Sequence, residues 1–458
     1  MAKLLKFPKD FYWGASTSSH QVEGGNENSW SVWEKENAER LARKARDHLQ
    51  IWQLELFPEA HTPENYISGI AVDHYNRFNE DFDIAKSIGM NAHRFSIEWS
   101  RVEPSEGMFD EKEILHYEAV ISALKSRGIE PFVTLWHWTL PLWLEEKGGW
   151  QSKDAPRYFT RFAKKIVESL GEDVKFWITI NEPLPYSSRS YMTGTWPPQK
   201  KNFFAYSRVL HHLVVAHRHA YNVIKVVDPD SQVGIAKSLV HFDAHKNRLM
   251  NKILKRFADW WWNYRFLNNI KGAQDFIGVN HYSHNTVNYG FNKNADENIS
   301  DMEWELYPES MYKVLLGVKR YKKPVYITEN GLADSGDIKR EKYLKEILRQ
   351  VHRAIESGVD VMGYLHWSLL DNFEWDNGFW PRFGLVEIDY KNKLKRRVRE
   401  SAKEYAKIIG ANAVEEDSYF TLEQGFRVVP EFWHVVGLFQ VIPPLNSPEV
   451  YIRETCSL

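Results

Sequence analysis

Apolar positions along the chain alternate between two spacings. Tyr117, Val120, Ile121 and Leu124 fall at i, i+3, i+4 and i+7, which predicts one buried face of a helix. Gly128 supplies a stop, and the unbroken apolar run EPFVTLW (Glu130–Trp136) predicts a buried strand. The unit repeats with Phe159, Phe162, Ala163, Ile166, Val167 and Leu170, then Gly171 and KFWITIN (Lys175–Asn181). It repeats again with Leu344, Ile347, Leu348, Val351 and Ile355, then Gly358 and VMGYLHW (Val361–Trp367). Further strands are expected at Phe11–Ser16, Asn91–Ile97, Gln232–Ser238, Asp275–Tyr282 and Pro324–Asn330, which makes eight. Eight parallel strands joined by helical crossovers describe an α/β fold, the (β/α)8 TIM barrel. A doubly wound sheet lacks support, because no Gly-rich phosphate turn follows any strand.

The pattern assigns residues 1–410 to one barrel domain. An inserted charged segment, 34–68, interrupts it after the first strand. Its stretch Glu34–Gln50 carries dense charge of both signs and predicts an exposed helix. Residues 411–458 form an atypical C-terminal extension. It contains FWHVVGLFQVIPP, too apolar for a free tail, and is expected to pack on the barrel or on a partner subunit. No repeat, low-complexity tract or linker divides the chain.

Composition narrows the function. The chain has 458 residues, with 59 Lys and Arg against 61 Asp and Glu, a net charge of −2. That balance argues against nucleic acid or an anionic membrane as the main partner, since both reward a basic surface. No apolar run is long enough to span a bilayer. The start MAKLLKFPKDFYWG lacks the apolar core and cleavage site of a secretory signal, and Cys456 is the only cysteine. A cytoplasmic protein without disulfides or a Cys-based metal cage is expected. The 19 Trp, 22 Tyr and 25 Phe supply flat apolar faces that suit a large core and also the C–H faces of sugar rings.

In a barrel of this kind the active site lies at the C-terminal strand ends. The fourth strand ends Asn181-Glu182-Pro183 and the seventh ends Thr328-Glu329-Asn330-Gly331. Pro183 biases Glu182 towards an extended conformation, and Gly331 permits a sharp exit after Glu329. Two carboxyls facing each other across a barrel mouth suit glycosidic bond cleavage: one protonates the leaving oxygen, and the other attacks the anomeric carbon or activates water. Two other clusters carry weaker signals. His211, His212, His217 and His219 lie on one predicted helix but lack i, i+4 spacing, so a packing or solvated face is expected rather than a metal site. Trp260, Trp261 and Trp262 are read as barrel packing or an interface ahead of a sugar platform.

ITINEP and YITENG resemble the acid/base and nucleophile motifs of glycoside hydrolase family 1, the retaining β-glucosidase and β-galactosidase family. FYWGASTSSHQVEG, AHRFSIEWSR, TLWHWTLPLWL, DFIGVNHY and SLLDNFEWDNGF followed by RFGL resemble the family's other motifs in the family's order, over about residues 7–410. The resemblance implies Glu182 as general acid/base and Glu329 as nucleophile. It implies that Gln21, His137 and Asn181 bond hydroxyls of the terminal sugar. Asn280 and Tyr282 match the family's Asn-x-Tyr, whose Tyr contacts the nucleophile. Arg94 would lie beside Glu329, Trp367 would form a stacking floor, and Glu374 and Trp375 would bind the O4 and O6 side.

The residues support these roles independently. Arg94 shares a strand face with Ala92 and Ser96 and is expected to point inward, where a buried guanidinium requires a carboxylate. The retaining geometry calls for carboxyls about 5–5.5 Å apart. The implied activity is hydrolysis of short β-linked glucosides, galactosides or fucosides, with no cofactor and no metal. The partner expected is a small β-glycoside, not nucleic acid or membrane; a homo-oligomer stays open. A 6-phospho-β-glycosidase is the alternative, and Glu374 would repel the phosphate. A non-catalytic sugar-binding barrel is the other alternative, but such a protein would typically have lost a carboxylate. The chain departs from the family at Leu239–Gln274, which is short and puts a full outer helix in doubt. His93 and His281 are departures away from the chemistry. The extension, or an apolar ligand, could cover surface left bare by a missing helix.

Overall fold

A computed structural model describes residues 3–294 and 298–416. Eight parallel strands close a barrel: β1 (Tyr12–Ser16), β2 (Ala92–Ser96), β3 (Glu130–Trp136), β4 (Phe176–Asn181), β5 (Gln232–Ser238), β6 (Phe276–Asn280), β7 (Val325–Asn330) and β8 (Val361–Trp367). Each pairs with its sequence neighbour, β6 bridges β5 and β7, and β8 returns to β1. These are the eight strands expected from the apolar runs, and the architecture is the (β/α)8 barrel. The longer outer helices are α1 (Ser29–His48), α2 (His74–Ser87), α3 (Glu111–Ser126), α4 (Ala155–Leu170), α5 (Phe203–Val227), α6 (Leu249–Ala258), α7 (Glu309–Val318), α8 (Arg340–Glu356) and α9 (Glu400–Ala411).

Side-chain alternation splits the strands between two environments. Inward residues in the lower barrel are apolar: Phe132, Phe176, Ile178, Phe276, Tyr326 and Leu365 fill it. The rings of Phe132 and Phe176 stack in parallel at 4.2 Å. Outward residues such as Val133, Trp177 and Ile277 pack against the helices. Near the C-terminal ends the inward positions become polar and stay buried, with Arg94, Thr134, Asn181, Asn280 and Glu329 among them. An apolar plug thus supports a polar floor.

Two expectations change. The charged segment after β1 is not simply exposed. Ala38, Leu41, Ala42 and Ala45 form a stripe, mostly alanine, that buries one face of α1, and Glu34 lies on the same side. Dense charge on the outer face hides that stripe from a reading weighted by hydrophobicity. The short Leu239–Gln274 stretch nevertheless builds its outer layer, because helical turns run unbroken from Leu249 to Ile270 through a wide turn at Asp259–Tyr264.

The C-terminal extension is described only to Glu416. Ala413–Glu415 pairs antiparallel with Leu4–Lys6 beneath the barrel, and the remainder of the 411–458 expectation lies outside the described residues. Among the described residues no helix is long and apolar enough to cross a membrane.

Because the plug supports everything above it, Phe176→Ala should destabilise the fold by about 3–5 kcal/mol. The surface control Phe204→Ala should change stability by less than about 0.5 kcal/mol. Denaturant midpoints of the two variants check this.

Candidate active site

The polar floor centres on Arg94, wholly buried on β2. Its Nη1 donates to Glu329 Oε1, its Nη2 to Asn181 Oδ1 (2.7 Å) and its Nε to Thr134 Oγ1 (2.9 Å). The inward direction predicted from its strand face is the one observed. Tyr282 OH donates to the second oxygen of Glu329 (3.0 Å). Asn280 Nδ2 donates to Glu182 Oε1 (3.0 Å) and Asn181 Oδ1 (3.1 Å), and its own Oδ1 accepts from Thr328 Oγ1 (2.6 Å). Strands β2, β3, β4, β6 and β7 therefore meet through one hydrogen-bonded set that holds both carboxyls.

Local backbone explains the placement. Glu182 does not take the extended conformation that Pro183 suggested: its φ and ψ are 41° and 69°. A following proline disfavours right-handed helical geometry, but the left-handed region remains open. The Glu182 N–H bonds Ala236 O at 2.8 Å, and Pro183 begins a helical turn at the next residue. The strand-to-helix change is thus completed at the residue that carries the carboxyl. Gly331 also acts differently from the expectation. A Cβ there would sit 1.7 Å from the carbonyl oxygen of Trp367, so close approach of β8 requires the glycine.

The two carboxyls, both almost fully buried, have opposite surroundings. Burial, reinforced by the charge on Glu329, pushes Glu182 up to about 8. Burial also raises Glu329, but the Arg94 guanidinium and the donors Tyr282 and Asn280 oppose it, so Glu329 ionises first. His137, buried and facing the charge of Arg94, is held well below its ordinary value and is neutral. Its Nε2 accepts from Asn181 Nδ2 (3.0 Å), which leaves a proton on Nδ1; that buried atom meets no protein partner among the described residues. It is a donor available to a hydroxyl group.

The remaining expected residues line one side of this floor. Gln21 Nε2 donates to Asn372 Oδ1 (2.9 Å), Phe373 O (2.8 Å) and Glu374 Oε2 (3.3 Å). Burial and the charges of Glu329 and Asp376 push Glu374 up to about 8. Trp375 stacks near His137 (5.9 Å) and His20 (5.6 Å), and Trp367 lies 6.1 Å from His137 in near-parallel orientation. Every sequence-predicted site residue thus reaches the barrel mouth.

Sequence reasoning missed several neighbours. Trp138, at φ 81°, donates from Nε1 to Asn181 O (3.0 Å) and packs between Trp196 and Trp375. Asn372 lies two residues before Glu374 in a motif already singled out. Lys237 is buried on β5 against the Trp262 ring (5.7 Å), and burial lowers it to about 7. The usable signal for Lys237 was a cation inside an otherwise apolar strand. The histidines on α5 disperse: His217 bonds Thr179 and Ala273, while His212 bonds Trp150 O. Of the tryptophan triplet, Trp262 is buried and Trp260 is exposed.

Comparison with known proteins gives the same picture. The model of glycosyl hydrolase family 1 matches residues 4–262 and 251–414. The 1,4-beta-D-glucan glucohydrolase of Thermotoga neapolitana is 34% identical over 463 residues, covering 90% of this chain and 100% of that protein. Beta-glucosidase A of Thermotoga maritima is 33% identical over 467 residues, with 90% and 100% covered. Among solved structures, a beta-glycosidase from Pyrococcus horikoshii has a TM-score of 0.80 at 35% identity, covering 90% of this chain and 97% of that one. The Thermotoga maritima beta-glucosidase in complex with glucoimidazole has a TM-score of 0.79 at 31% identity, covering 90% and 100%.

Removing the central cation tests the electrostatics. Arg94→Met should cost about 3–5 kcal/mol at neutral pH, because Glu329 is left buried and unpaired. The lone carboxyl would then ionise above its unfolded value, a penalty present at neutral pH that vanishes once pH falls below the ordinary carboxylate range. The deficit should therefore shrink on acidification, as read from denaturation midpoints at several pH values.

Proposed function

The chain belongs to glycosyl hydrolase family 1, and from that membership we propose a retaining β-glycosidase that hydrolyses terminal β-linked glucosides of short oligosaccharides or aryl and alkyl glycosides. In this reading Glu329 is the nucleophile and Glu182 the acid/base. The carrying observation is the pair of buried carboxyls tied to one hydrogen-bonded floor, Glu329 against Arg94 and Tyr282, and Glu182 against Asn280. Glu329 attacks the anomeric carbon while Glu182 gives its proton to the departing glycosidic oxygen. Esterification then removes the charge on Glu329 that, together with burial, had held Glu182 protonated. Glu182 becomes the stronger acid of the two stages and leaves its proton with the first product, ready to take one from water in the second step. Water attacks the same carbon, restores the Glu329 carboxylate and releases the sugar with net retention.

Gln21, His137, Asn181, Glu374 and Trp375 are proposed to bind hydroxyls of the terminal sugar, with Trp367 beneath its ring. The unpartnered His137 Nδ1 supports this assignment. Glu374 beside Gln21 supplies no cation for a substrate phosphorylated at O6, which disfavours that alternative. The names of the Thermotoga relatives favour glucosides over the galactoside and fucoside options. A cytoplasmic location is supported by the single cysteine in 458 residues.

The test uses an aryl β-glucoside. Glu329→Ala should reduce kcat by about 10⁴-fold or more, and NMR of the first sugar released should show the β anomer. Full activity in that variant, or release of the α anomer, would overturn the reading. Since the acid must hold its proton, kcat/KM of the unaltered enzyme should fall as pH rises through about 8. An activity plateau continuing well above that pH would remove Glu182 from the acid role.

A further inference from the structure

Helix α6 has an apolar sector wider than the barrel covers. Leu254 and Ala258 face inward or sideways, whereas Leu249, Ile253, Phe257 and Trp260 turn to solvent, Leu249 being 76% exposed. Phe257 lies 5.8 Å from Trp261, and Trp261 stacks with Phe203 at 6.2 Å, so the exposed strip continues onto the start of α5. Phe204 beside it is 80% exposed. The charge is equally lopsided. The segment 245–258 carries Lys246, Arg248, Lys252, Lys255 and Arg256 without one acidic residue, and Lys200 and Lys201 precede Phe203. Lys255 is paired with Asp259 (2.9 Å), and Arg248 covers the Tyr289 ring. Lys252 and Arg256 are exposed on the same helix. The near-neutral total of the chain conceals this local basic surface.

An apolar strip with large rings, flanked by cations, is the pattern of a helix that lies in the headgroup plane of a bilayer. We infer that this face, α6 with the start of α5, docks peripherally on an anionic phospholipid surface. Charge complementarity selects that occupant. A second copy meeting the same face about a two-fold axis would oppose Lys252 and Arg256 with the same cations. The chain beyond Glu416 starts from a strand beside Leu4–Lys6, which leads into the N-terminal end of β1. Helix α6 instead follows a strand, His241–Ala244, that leaves the C-terminal end of β5. The surface therefore lies on the active-site end of the barrel, across from where that segment departs.

Cosedimentation of the full-length protein with phospholipid vesicles tests the inference. Vesicles with about 30 mol% phosphatidylserine should pellet the protein, phosphatidylcholine vesicles should not, and raising salt from about 0.1 M to about 0.5 M should weaken the binding. The variants Lys252→Glu/Arg256→Glu and Phe204→Ser/Phe257→Ser should each lower partitioning at least about tenfold while leaving aryl-glycoside hydrolysis in solution unchanged. No pelleting with anionic vesicles would overturn the inference. Binding that survives both double variants would do so too, by moving the contact to the remaining chain. A dimer in solution that both double variants dissociate would assign the face to a second copy instead.

Discussion

A guanidinium with no exposure at the centre of a barrel is the constraint around which this molecule is built. Moving an isolated Arg94 from water into that position would cost free energy on the scale of a protein's entire net stability. It is tolerable only because each of its three nitrogens meets an oxygen: Glu329, Asn181, Thr134 and, more distantly, the Thr328 carbonyl. Those oxygens come from β3, β4 and β7. The ion pair therefore does more than join two residues, since it sets the relative positions of strands far apart in sequence.

That constraint passes outward through backbone geometry. The nucleophile candidate must leave β7 at a point where β8 crosses closely, and Gly331 accepts the Trp367 carbonyl where any side chain would collide with it. The acid candidate must turn from β4 into a helical turn within one residue, so Glu182 takes a left-handed conformation that costs free energy and is held by the Ala236 hydrogen bond. The rigid apolar plug below, with Phe132 and Phe176 stacked, keeps these ends from relaxing. Local strain is sustained by packing elsewhere in the same strands.

Much of this was legible in the amino-acid sequence, for identifiable reasons. Strands buried on both faces read as continuous apolar runs, so all eight emerged with boundaries close to those observed. Strand parity placed Arg94 inside, and polar residues at strand ends marked the mouth. What stayed hidden depends on three-dimensional neighbours. The proline rule excludes one backbone region for Glu182 without choosing between the others. The stripe of alanines in α1 buries little area per residue, so surrounding charge masked it. Trp138 and Asn372 sit inside motifs already singled out, but their places are set by contacts with segments distant in sequence, Asn181 and Gln21. Lys237 is a cation in an otherwise apolar strand, a signal the sequence reading passed over and one without meaning until Glu182 and Trp262 are seen near it.

Lys237 also sharpens the electrostatic argument. Two like carboxyls buried at one barrel mouth cannot both ionise readily, and the asymmetry of their cations decides which does. Arg94 touches Glu329 directly, whereas Lys237 acts on Glu182 only through space and is itself weakened by burial to about 7. A cation as strong and as close to Glu182 as Arg94 is to Glu329 would ionise both acids at rest and leave no proton for the leaving group. A site without any cation near Glu182 would make the later loss of its proton harder. The arrangement observed lies between these extremes: a direct ion pair on one acid, and for the other a buried lysine that reaches it only through space. That gradient of positive charge across the mouth, rather than any difference between the two side chains, is what divides the chemical work between them.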